Sequence, residues 1–202
     1  MVLDKARGKS GVFLDGVASH LGSVSPSLIT LISFILAVAF AVAYYFSYLN
    51  PAILLAAFFL LAGSSYLDAL DGAVARMFKK ETKRGDFLDH LLDRYSDVVI
   101  LLGMTVSLFG NMFFGIVAIS GTLLSSYVGT QSQAVGLGRL YSGFPGRADR
   151  LVIILIITLL QLFTLRFEIF GDYITSWGLL FLGLAGFANS VYRASIAYRS
   201  IA

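Results

Sequence analysis

The sequence predicts an all-α integral membrane protein, with six transmembrane helices preceded by an N-terminal interfacial amphipathic helix. Three observations lead there. Of 202 residues, 57% are hydrophobic and only 13% charged, and the mean hydropathy of +0.83 is far above that of an average soluble domain. The charges are bunched between long apolar runs. Nearly all Lys and Arg then fall on one side of a six-span arrangement. The absence of cysteine excludes a disulfide framework, a thiolate metal site and a cysteine nucleophile. The net charge of +3 is carried beside membrane segments, so anionic headgroups or a phosphorylated substrate are its natural partners, and nucleic acid is not expected.

In chain order, residues 1–10 are polar and basic, with Lys5, Arg7 and Lys9. Residues 11–23 mix Val12, Phe13, Leu14, Val17 and Leu21 with Asp15 and His20, the pattern of a helix lying in the interface. No cleavage-site pattern succeeds a short apolar core, so no removable signal peptide is expected. Pro26 breaks the chain, and Ser25 or Ser27 can cap the first span. Six stretches then reach across a hydrocarbon core at about 1.5 Å per residue: 27–48, 51–78, 86–109, 112–136, 148–166 and 173–198. Two connections are distinctive, the basic loop Lys79 to Gly85 and the Gly-rich loop Gly136 to Gly146, whose composition is that of a chain that turns or moves. No internal repeat is visible, and residues 1–202 read as a single membrane domain.

Orientation comes from the basic residues. The N-terminus, the loops after spans two and four, the C-terminal end and the adjoining span ends hold 14 of the 15 Lys and Arg; the other side holds Arg166 alone. Both termini are therefore expected in the cytoplasm. Tyr44, Tyr45, Tyr48, Tyr173 and Trp177 are expected to form an aromatic belt at the opposite interface.

The chemistry concentrates between Asp68 and Asp93. Asp68 and Asp71 are three residues apart near the end of span two and share a helical face, which Ala75 continues; Asp89 and Asp93, four apart on span three, do likewise. The short loop between them makes spans two and three antiparallel neighbours in this reading, so the four carboxylates converge. A carboxylate in hydrocarbon costs roughly 2.5–3.5 kcal/mol on insertion scales. Four of them need partners, and an all-oxygen set suits Mg²⁺ or Mn²⁺ better than zinc. Gly72 and Ala75 clear side-chain bulk beside them. The competing explanation is ion pairing with Arg76 and Arg94, or solvated helix ends.

The run Asp68-x-x-Asp71-Gly72-x-x-Ala75-Arg76, eight residues, then Gly85-x-x-x-Asp89-x-x-x-Asp93 resembles the signature of the CDP-alcohol phosphotransferases in every fixed position, eight residues over 26. The resemblance implies transfer of a phosphoryl-alcohol group from a CDP-alcohol to a hydroxyl acceptor with release of CMP in phospholipid synthesis, by a membrane homodimer with a two-metal site. It implies that Asp68, Asp71 and Asp89 are metal ligands that also hold the CDP diphosphate. Asp93 would complete the metal site and act as general base, or serve as a plain ligand. Gly72, Ala75, Arg76 and Gly85 would shape and contact the cytidine nucleotide. Phosphoryl transfer from a diphosphate does need its leaving charge neutralised and an acceptor hydroxyl deprotonated, which metals and a nearby carboxylate supply.

Arg94 after the fourth Asp, and the run Gly146-Arg147-Ala148-Asp149-Arg150, resemble the inositol-phosphate branch of the family. With Arg139 and Arg193, Arg147 and Arg150 offer guanidinium groups able to grip a phosphomonoester, so a small phosphorylated alcohol is the expected acceptor. Alternatively, these arginines anchor lipid headgroups. Span four departs from the branch: Ser126 to Gln133 is polar but uncharged where bacterial members carry basic residues, which leaves glycerol phosphate, serine or another sugar phosphate open as acceptor. The expected donor is a CDP-linked lipid, with diacylglycerol or archaeol tails both open; a soluble CDP-alcohol donor is the alternative. His90 is expected to be a packing or interface residue, His20 is given no role, and Asp97 is a partner for Arg76 or Arg94. A cation- or proton-coupled transporter is the rival of a different class, opposed by the missing inverted repeat and by carboxylates placed near one face.

Overall fold

The structure, a computed structural model, describes residues 14–138, 140, 142–165 and 167–201; Arg139, Arg166 and the basic N-terminal stretch lie outside the described residues. A short helix α1 covers 14–18. Six long helices come after it: α2 (Pro26–Phe46), α3 (Pro51–Met77), α4 (Lys83–Val106), α5 (Met112–Ala134), α6 (Arg147–Thr164) and α7 (Ile174–Ile201). The protein is all-α but for a two-stranded antiparallel ribbon before α7, in which β1 (Glu168–Ile169) pairs with β2 (Asp172–Tyr173). The expected spans and the observed helices agree within three residues at every end.

Local chemistry explains the starts. Pro26 does not interrupt the chain ahead of α2 but occupies its first turn, where its missing N–H is not needed; Ser25 precedes it without a side-chain capping bond. Asn50 caps α3 through the Ala52 N–H and Asn111 caps α5 through Phe113 and Phe114, while Thr82 caps α4 through Gly85. Asp149 accepts from the Gly146 N–H at 2.9 Å and so fixes the start of α6.

Four helices, α2, α3, α5 and α7, are long and apolar enough to cross a membrane, and the protein is an integral membrane protein. On α4 and α6 several charges turn inward instead: Asp93, Asp97, Asp149 and Arg150 are buried, while Lys83, Arg84 and Asp86 in the first turn of α4 are exposed. The main core runs along the bundle through Phe40, Leu54, Leu61, Leu101, Met104 and Leu182. A second cluster joins Ala18 of α1 to Ile29, Leu70 and Val74, with Leu14, Val17 and Leu21 against it. The described part of the amphipathic segment thus docks its apolar side on α2 and α3.

Two arrangements depart from expectation. The major partners of α2 are both α3 and α4, whereas α3 and α4 make no comparable contact with each other. The neighbouring spans expected from the short loop are therefore joined through α2, which packs on both of them. Tyr44 is not part of an aromatic belt: it is fully buried, and its hydroxyl lies 2.6 Å from Thr175 Oγ1, which in turn donates to Gln161 Oε1 at 3.1 Å. A phenol can sit in a core when its hydroxyl is satisfied there. Tyr45 and Tyr48 remain exposed.

The α5–α7 pair packs backbone on backbone. A Cβ on Gly121 would stand 2.3 Å from the Gly183 carbonyl oxygen, and one on Gly186 2.6 Å from the Gly121 carbonyl carbon. Such small-residue contacts let helices approach closely in lipid. Gly121→Val is expected to destabilise the bundle by about 1–3 kcal/mol through overpacking, seen as a lower midpoint for loss of the monodisperse species on heating in detergent.

Candidate active site

The site lies where the carboxylate ends of α3 and α4 flank α2. A cleft of about 760 Å³ is lined there by Ser25, Ser27 and Thr30 from the α2 side, Asp71, Gly72, Ala75 and Arg76 from α3, and Gly85, Asp86 and Asp89 from α4. Every nucleotide-contacting residue expected from the signature except Asp68 is on that wall. Gly72 leaves room for Arg76 to fold back along its own helix; a Cβ on Gly72 would stand 3.1 Å from Arg76 Nη1. Gly85 sits in the first turn of α4, its N–H held by Thr82 Oγ1 at 3.0 Å.

The carboxylates form two overlapping groups. One oxygen each from Asp68, Asp71 and Asp89 lie within 4.8 Å of one another, and so do one oxygen each from Asp89 and Asp93 and a ring nitrogen of His90. Asp89 belongs to both. Thr30 on α2 donates to Asp71 Oδ2 at 2.6 Å, orienting a buried carboxylate from across the cleft. His90, expected to face elsewhere, instead has Nε2 3.3 Å from Asp86 and Nδ1 3.9 Å from Asp89.

Positive charge arrives from α6. Arg147 Nη1 pairs with Asp68 Oδ2 and lies 2.9 Å from Asp93 Oδ1. Arg150 donates to Asp97 Oδ2 at 2.6 Å, and Arg94 lies 3.5 Å from the same oxygen. Asp97 is thus a shared support for Arg94 and Arg150 and has Arg147 Nε at 4.0 Å. Arg147 thus bridges two of the clustered carboxylates, Asp68 and Asp93, and is a partner other than the Arg76 and Arg94 of the competing explanation.

Of the expected acceptor arginines, Arg147 and Arg150 both reach Asp97, and Arg193 is placed on another set of partners. Arg150 is buried on Asp97, and Arg193 donates to Ser142 O at 2.8 Å and Ser125 O at 2.7 Å. With Asn189, which donates to Ser125 Oγ and Pro145 O, Arg193 laces the connection before α6 to α5 and α7. Arg139 lies outside the described residues. Of the three that are described, Arg147 is the one that bridges to the clustered carboxylates.

Thr30 and Arg147's bridging position were not foreseen. The polar positions Ser27, Thr30 and Ser33, three apart on an otherwise apolar span, carried the signal for a wetted face on α2. Ser33 and Ser64 each donate to the other's carbonyl, at 2.8 and 2.9 Å, and fasten α2 to α3 just beyond the site.

The donor set fits a hard divalent cation. Carboxylate oxygens dominate, with one imidazole at the edge, and one guanidinium cannot neutralise four carboxylates.

Comparison with known proteins agrees with this geometry. The family described as CDP-alcohol phosphatidyltransferase matches residues 23–186. The archaetidylinositol phosphate synthase of Methanothermobacter thermautotrophicus is 36% identical over 143 residues, 71% of this chain and 70% of that protein. The protein of that name from Pyrococcus horikoshii is 33% identical over 178 residues, 87% and 91% of the two chains. Among solved structures, Mycobacterium tuberculosis phosphatidylinositol phosphate synthase with CDP-DAG bound superposes with a TM-score of 0.74 at 25% identity, over 92% of this chain and 93% of that one. The chain belongs to the CDP-alcohol phosphatidyltransferase family. It is a metal-dependent CDP-alcohol phosphotransferase, which displaces the transporter reading.

Thr30→Val keeps the shape and removes the hydroxyl that serves Asp71. Losing a hydrogen bond to a charged group costs about 1.5–3 kcal/mol, so the Mn²⁺ concentration giving half-maximal CMP release is expected to rise at least about tenfold.

Proposed function

We propose that the protein transfers a lipid-phosphoryl group from a CDP-linked lipid to inositol 1-phosphate, releasing CMP, using a two-metal site of Mg²⁺ or Mn²⁺. The observation that carries this reading is the convergence of Asp68, Asp71, Asp89 and Asp93 at the edge of a cleft lined by Gly72, Ala75, Arg76 and Gly85. The inositol phosphate acceptor is supported by the relatives named archaetidylinositol phosphate synthase. A CDP-linked lipid donor is supported by the CDP-DAG bound to the mycobacterial structure.

In this mechanism the glycine and alanine faces of α3 and α4 admit the nucleotide, and Arg76 lies beside it. Asp68, Asp71 and Asp89 would hold the metals, with Asp93 completing the set. Divalent cations held there would supply positive charge against the diphosphate and the departing CMP. Asp93 accepts the proton of the acceptor hydroxyl, whose oxygen forms the new bond to the lipid-linked phosphorus as the bond to the bridging oxygen of CMP breaks. Arg147, beside Asp68 and Asp93, takes the acceptor's phosphate.

The same reading has the whole chain as one domain with six spans, α4 and α6 included, their charged faces turned inward. The cleft and both termini face the cytoplasm, supported by the 14 of 15 Lys and Arg on that side. A homodimer rests on the family resemblance.

The test is CMP release by the purified protein with Mg²⁺ or Mn²⁺ and either CDP-diacylglycerol or CDP-archaeol, across inositol 1-phosphate, glycerol 3-phosphate, serine and inositol. Turnover with inositol 1-phosphate alone is expected. Turnover with glycerol 3-phosphate or serine instead would keep the reaction class and overturn the acceptor. Asp93→Asn is expected to lower turnover by about 10²–10⁴, the range for loss of a general base, measured as initial CMP release at saturating donor.

A further inference from the structure

Arg147 stands in an unusual electrostatic position. It touches one carboxylate from each of the two metal-capable groups, Asp68 of one and Asp93 of the other, and does so through a single nitrogen, Nη1. Its grip is incomplete. Nε is buried without a hydrogen-bond partner, and Asp93 Oδ1, despite the 2.9 Å contact, is not aligned as an acceptor. A guanidinium normally engages carboxylates as a two-pronged fork, and this one does not.

The backbone beneath it is fixed. Asp149 holds the Gly146 N–H, Arg150 is buried on Asp97, and Arg193 and Asn189 fasten the preceding connection. Any movement at this point therefore belongs to the Arg147 side chain, not to α6.

We propose that Arg147 and the divalent cations compete for the carboxylates of α3 and α4, so that metal loading releases the guanidinium to take the acceptor's phosphate. This rests on the metal-site and acceptor reading above. One guanidinium offsets four carboxylates only in part, whereas two divalent cations offset them fully; once they bind, the attraction holding Nη1 on Asp68 and Asp93 is gone and like charge repels it. The residue thereby links the two substrate sites, and binding of the phosphorylated acceptor comes after metal loading. By reciprocity, the acceptor's phosphate draws Arg147 away and tightens metal binding.

The experiment uses full-length, chelator-treated protein in detergent, titrated with Mn²⁺ while free Mn²⁺ is read by its paramagnetic resonance. Wild type is expected to bind Mn²⁺, and Arg147→Gln to bind it at least about fivefold tighter, the lower end of coupling between sites. Failure of wild type to bind Mn²⁺ would overturn the metal-site reading itself; binding by wild type with unchanged or weaker affinity in Arg147→Gln would overturn the competition alone. Arg147→Met, which also removes the charge, is measured alongside and carries the same expectation of tightening if the Gln variant is not recovered folded. In a second arm, calorimetry with inositol 1-phosphate is run with and without Mn²⁺. Manganese is expected to raise affinity at least about fivefold in wild type and less in Arg147→Lys. An equal gain in both proteins would overturn the handover of Arg147.

Discussion

The electrostatic problem of holding four carboxylates together inside a mostly apolar bundle governs the rest of this structure. Unscreened, they would repel one another, yet oxygens of Asp68, Asp71 and Asp89 lie within 4.8 Å, with α2 packed on both α3 and α4 and lining the cleft beside them. Three kinds of partner make the arrangement tolerable. Thr30 satisfies Asp71 by a hydrogen bond, Arg147 supplies charge to Asp68 and Asp93, and Asp89 shares its position with His90. Each partner comes from outside the signature or from its unspecified positions. The signature names the groups that do the chemistry, and the surrounding helices decide whether they can be assembled.

The supporting polar groups form a second layer whose work is positional. Asp97 carries no place in the signature, yet it collects Arg94 and Arg150 and lies 4.0 Å from Arg147. Buried pairs of this kind are weak evidence for stability. Their effect here is geometric, since Arg150 anchors the first turn of α6 and thereby delivers Arg147, three residues earlier on the same helical face, to the carboxylates. Ser125, Asn189 and Arg193 do the equivalent for the connection that enters α6. A segment whose glycines read as mobile is tied at several points among the described residues.

Much of the architecture was legible in the chain. The helix ends fell within three residues because apolar run length and Pro or Asn placement are local properties, and the carboxylates met because spacings of three and four are helical. The failures concern packing between distant segments. The short loop from Lys79 implied adjacent helices, but a loop limits only how far two ends can separate, not which faces touch. Tyr44 looked like an interface residue until Thr175, 131 positions away, was found to hold its hydroxyl. The contacts of Arg150 with Asp97 and of Arg193 with the Ser142 and Ser125 carbonyls were equally beyond local pattern, because a guanidinium with five donors is as useful for joining helices as for binding a ligand.

The far end of the bundle, where Tyr44, Gln161, Thr175 and Ser176 are fully buried, has a consequence of its own. Their hydroxyl and amide groups join α2, α6, α7 and the turn before α5 with partners supplied from within, so this end needs no water to satisfy it. The protein thereby keeps its wettable groups for the end that carries the carboxylates.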